Sequence, residues 1–63
     1  MRTGTRVRTV GEDRTGTVTD TGCAGQVVWV RWDDTEEVTG VEQVEDGEWW
    51  DPESDDVVTE RWG

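Results

Sequence analysis

The chain has 63 residues, enough for one small domain, and 16 acidic against 6 basic side chains with no histidine give a formal net charge of −10. Its 30% hydrophobic content is almost entirely eleven valines and five tryptophans, and no run approaches the ~20 apolar residues of a membrane helix. One cysteine, Cys23, and no histidine exclude a disulfide framework, the common zinc sites and Ser/Cys–His catalysis.

The opening Met1-Arg2-Thr3-Gly4 leads into no apolar stretch, so no secretory signal is expected. Valine and threonine, which suit a pleated and half-buried surface, dominate the rest of the chain. The first predicted strand is 5–10 and the second is 15–20, joined by a turn at Gly11-Glu12-Asp13-Arg14. A glycine-marked loop, Thr21 to Gly25, precedes the third strand at 26–32. There Val28, Val30 and Trp32 alternate with Val27, Trp29 and Arg31, the pattern of a strand buried on one side.

Asp33-Asp34-Thr35 turns the chain into a fourth strand at 36–44, with Gly40 expected as a bulge or bend. Asp46-Gly47 reads as a turn within an acidic, Trp-bearing loop, 46–56, and a fifth strand closes the chain at 57–62. No segment has helical periodicity. Five short strands with glycine-bearing turns predict an all-β fold, a small five-stranded barrel formed by residues 1–63 as a single domain. A chain of this size buries only about 60% of its unfolded surface. Two or three inward tryptophans, each hiding ~150–250 Å², would supply a core without leucine, with Trp32 the first candidate.

Gly4-Thr5-Arg6-Val7-Arg8-Thr9-Val10 followed by Arg14-Thr15-Gly16-Thr17-Val18 resembles the start of SH3-like small barrels, particularly KOW-type and Tudor-like modules. The segment Val28-Trp29-Val30-Arg31-Trp32-Asp33-Asp34 is similar to actinobacterial SH3-like domains that carry a Val-Arg-Trp-x-Asp-Gly run. Thr35 stands where that hairpin has glycine, which implies a different or longer turn. The resemblance covers about half the chain and implies an SH3-like barrel. For the KOW type it also implies binding to RNA or to ribosomal and transcription proteins. The absence of Lys, Asn, Ile, Phe and Tyr, whose codons are AT-rich, points to a GC-rich genome, actinobacterial or phage.

Charge is divided along the chain. Residues 1–31 carry five arginines and three acids, whereas residues 32–63 carry thirteen acids and Arg61 alone. The expected function is therefore non-enzymatic: an acidic module that docks on a basic protein surface in the cytoplasm, and, if phage-encoded, a modulator or DNA mimic of a host nucleic-acid-binding protein. Trp49 or Trp50 is the expected anchor, ringed by Glu48, Asp51, Glu53, Asp55 and Asp56. An alternative is a KOW-like nucleic-acid-binding domain using Arg6, Arg8, Arg14 and Arg31, with Trp29 as a stacking platform. A further alternative is an assembly component that pairs through a free edge strand. No catalytic residue, metal ligand or cofactor is expected, nor any membrane contact, and the chain is expected to be a monomer or weak homo-oligomer. The 51–56 carboxylates do not match a calcium loop, because Asp56 sits at the glycine position and Trp62 at the glutamate position.

Overall fold

A computed structural model describes residues 1–44 and 48–60. The predicted Asp46-Gly47 turn, Arg61 and Trp62 lie outside the described residues. Six strands run in chain order: β1 (Arg6–Thr9), β2 (Thr15–Gly22), β3 (Val27–Trp32), β4 (Val38–Gln43), β5 (Trp49–Asp51) and β6 (Asp56–Glu60). Each pairs antiparallel with the next, and β6 pairs antiparallel with β1, closing the sheet into a barrel. The all-β barrel is as expected, and it is compatible with an SH3-like one. The strand count differs. Trp49–Asp51 forms a short strand within the segment expected to be a loop. The reason is topological: in an up-and-down meander consecutive strands run in opposite directions, so only an even number lets the last strand close antiparallel on the first.

The interior is made by alternation. Val7, Val18, Val28, Val30, Trp32, Val41 and Val58 are all at most 2% exposed and form one cluster, with Met1 and Trp49 partly buried against it. Among the described residues Trp32 is the one large side chain that is fully buried, and burying a side chain of its size contributes about 4–6 kcal/mol by apolar area. Its indole Nε1–H donates to Thr39 Oγ1 at 2.7 Å, so the buried polar group is satisfied. Gly16 lies inside β2 opposite both Val7 and Trp32, and its missing side chain gives the Trp32 ring its room.

One irregularity fixes what the outer face displays. Gly40 is neither bulge nor bend: β3 and β4 pair without interruption from Val27↔Glu42 to Arg31↔Val38. The register shift is instead in β2, between Val18 and Asp20. Strict alternation from the inward Val18 would turn Asp20 into the core, where an unpaired carboxylate is costly. The extra residue Thr19 turns Asp20 outward, opposite Trp29. Among the described residues no helix is long and apolar enough to cross a membrane.

Candidate functional site

The acidic segment around Trp49 and Trp50 is more internal than its composition suggests. Neighbours in a strand face opposite ways. Trp49 sits opposite the buried Val58 and packs on the core, while Trp50, opposite Glu42 and Val57, lies half-buried on the outer face. Of the expected pair, Trp50 therefore carries the outward ring. Asp51 is fully buried. Its carboxylate accepts the Glu53 N–H at 3.0 Å and the Ser54 hydroxyl at 2.9 Å, and its carbonyl accepts the Asp55 N–H at 2.8 Å. This is an Asx-turn entered through Pro52, and it removes Asp51 from the expected ring of surface carboxylates.

Asp56 also works internally. Its carboxylate accepts the Gly11 N–H at 2.9 and 3.0 Å, the Glu12 N–H at 2.9 Å and the Val57 N–H at 2.8 Å. These bonds tie the β1–β2 turn to the start of β6. Desolvation acts to raise the Asp56 carboxyl, but the three N–H donors outweigh it and hold it below the usual carboxylate range. Of the acids expected to ring Trp50, Glu48, Glu53 and Asp55 are exposed. Two carboxylates that composition assigned to solvent thus hold the fold, a distinction visible only once the loop closes on itself and on the β1–β2 turn.

The arginine face is largely neutralised from within. Arg6 points outward on β1 and pairs with Asp33 at 2.7 Å, with further bonds to the other Asp33 oxygen at 3.3 Å and to the Thr17 hydroxyl. That pairing raises the Arg6 guanidinium above its ordinary value. Asp33 is held below the usual range by Arg6 first and then by the Thr15 hydroxyl, which donates at 2.7 Å. Arg14 grips Asp34 with Nε at 3.1 Å and Nη2 at 3.2 Å, and this lowers the Asp34 carboxyl. The Arg14 guanidinium also lies 4.7 Å from the Trp32 ring centroid, a cation–π contact. Arg8 is 3.9 Å from Asp13. Arg31 makes no ion pair among the described residues, and it faces outward opposite Thr17 and Val38.

Trp29 lies further back along β3 on the same outer face and is 43% exposed. Its ring rests on Gly40, where an added Cβ would come within 3.0 Å of Cζ3. Asp20 faces it from β2, and Glu42 stands diagonally from it on β4, directly opposite Trp50. The outer face of β3, β4 and β5 thus carries two tryptophans with acids between and beside them. Sequence reasoning placed neither Asp20 nor Glu42 at a site. The bulge hid the first, and the second becomes a neighbour only through the β3–β4–β5 register. No family model, curated protein or solved structure matches this chain.

Proposed function

We propose that this barrel is a non-enzymatic interaction module that docks on a basic protein surface. The observation that carries the reading is the distribution of charge. Arg6, Arg8 and Arg14 are engaged by Asp33, Asp13 and Asp34, while the outer face bearing Trp29 and Trp50 carries Asp20 and Glu42, which make no ion pair among the described residues. A net charge of −10 would speed encounter with positively charged partners. Half-exposed tryptophans would anchor the complex, because aromatic side chains dominate interface energetics. Trp50, whose ring is on the outer face, would be one such anchor. Trp49, packed on the core, supports it from inside.

The same charge suits a cytoplasmic modulator, phage-encoded in its sharper form, whose carboxylates stand in for DNA phosphates. A KOW-like nucleic-acid reading would need uncompensated positive charge along the arginine strip, and three of its four arginines are already paired. An assembly role through a free edge is disfavoured by the pairing of β1 with β6.

The test is a titration of the whole protein with a short basic peptide, an acidic peptide of equal length and duplex DNA, at low and at physiological salt. We expect only the basic peptide to bind, more weakly as salt rises, and at least tenfold more weakly to the Trp29→Ala/Trp50→Ala variant. Binding to DNA at low salt, or no binding to the basic peptide, would overturn the proposal.

A further inference from the structure

The barrel already contains one complete arginine receptor. Arg14 lays its guanidinium over the Trp32 ring at 4.7 Å while Asp34 takes two of its N–H groups at 3.1 and 3.2 Å. The parts are an indole face, a carboxylate at its edge and a planar cation that satisfies both. On the outer face the first two parts recur without the third. Trp29 is 43% exposed, directly opposite Asp20 on β2 and diagonal to Glu42 on β4. Side chains opposite one another in a sheet have Cβ atoms about 5 Å apart, and diagonal neighbours at about 7–8 Å are still within reach of aromatic and long side chains. Both carboxylates can therefore meet a group stacked on the ring.

The seat is held in place. The Trp29 ring is laid over Gly40, where no side chain competes for the space. Asp20 accepts the Thr21 N–H with Oδ1 at 2.8 Å, which orients its carboxylate. Val27 and Val38, outward on β3 and β4, offer apolar surface for the methylene stem of a long side chain. The chain's own Arg31, two residues along β3, does not fill the seat, because the one cation–ring contact among the described residues is that of Arg14.

We propose that Trp29, flanked by Asp20 and Glu42, is the seat for an arginine guanidinium from the partner. This rests on the docking reading above and names the chemistry of its contact. Arginine is preferred over lysine because a planar guanidinium stacks on the indole and still directs in-plane N–H groups to carboxylates on either side. A lysine ammonium is a strongly hydrated point charge that offers no such plane.

The experiment tracks the indole N–H resonances of ¹⁵N-labelled protein during titration with two neutral-capped peptides, Gly-Arg and Gly-Lys repeats of equal length. The arginine peptide is expected to shift the Trp29 resonance and to bind several-fold more tightly than the lysine peptide. Asp20→Asn/Glu42→Gln leaves the ring and the core untouched and should weaken arginine binding at least tenfold. Trp29→Ala should abolish the preference for arginine, with amide shifts elsewhere verifying its fold. Arginine binding that shifts Trp50 instead and ignores the Asp20→Asn/Glu42→Gln change would overturn the seat and leave the docking reading standing. Equal binding of the two peptides at Trp29 would overturn the arginine assignment. Failure of the wild type to bind either peptide would overturn both.

Discussion

At Gly16 an added Cβ would lie 2.7 Å from Val30 Cγ1, 2.8 Å from the Arg31 carbonyl oxygen and 3.0 Å from Trp32 Cε3. The second of these is backbone inside a paired strand, so the clash cannot be relieved by turning a side chain. Gly16→Ala should therefore destabilise the barrel by about 1–3 kcal/mol, the usual range for overpacking a filled core. Urea unfolding of the two proteins measures it, and equal midpoints would mean that β2 and β3 separate at no cost. Gly40 is a useful contrast, since its nearest neighbours are side-chain atoms of the exposed Trp29 ring and not backbone. Both glycines are visible in the sequence, but their roles are not. Each role depends on a residue across a strand pair, and pairing register is not written in local pattern. Trp32 was legible because alternation alone, Val28-Val30-Trp32, sends it inward.

Three hairpin loops share one design. Residues 10–14, 33–37 and 52–55 each connect paired strands, and the fourth residue of each is left-handed: Asp13 at φ 56°, Glu36 at φ 61° and Asp55 at φ 57°. In two of them the fourth residue's N–H returns to the last strand residue, Glu36 to Trp32 O and Asp55 to Asp51 O, both at 2.8 Å. Aspartate tolerates this conformation through its short polar side chain, whereas glutamate gains nothing from it. Glu36→Gly should stabilise the protein by on the order of 0.5–1 kcal/mol, since relief of left-handed strain exceeds glycine's entropic cost. A lower thermal midpoint for that variant would show that Glu36 contributes a contact larger than its strain. Thr35, where the resemblance has a hairpin glycine, lies in the 33–37 connection, whose left-handed position is taken by Glu36 instead. β5 was not legible: three residues bounded by Pro52 and carrying Asp51 give no alternation to read. Its existence comes from barrel closure, a property of all six strands together.

Across the whole molecule, a charge of −10 is set against a barrel with a radius of gyration of 10.3 Å. At about 0.1 M salt the Debye length is also ~10 Å, so repulsion between opposite sides is damped and the bonded carboxylates dominate the pH response. Asp33, Asp34 and Asp56 are all held below their ordinary range, the first two by arginine hydrogen bonds foremost. For Asp56, backbone N–H groups overcome a desolvation that acts the other way. The unfolded chain takes up these three protons near pH ~3.9, before the folded barrel does. The stability the three groups confer is therefore complete above that pH and drains away as pH falls through their lower folded values. Asp56→Asn has no proton to bind and loses charge-assisted bonds to Gly11 and Glu12. It should be less stable than the wild type at neutral pH and should lose less further stability on acidification, so the two curves converge in acid. Unfolding by urea at a series of pH values reads this directly. Parallel curves would mean that Asp56 titrates alike in the folded and unfolded states, and that its N–H cradle holds the turn through geometry alone.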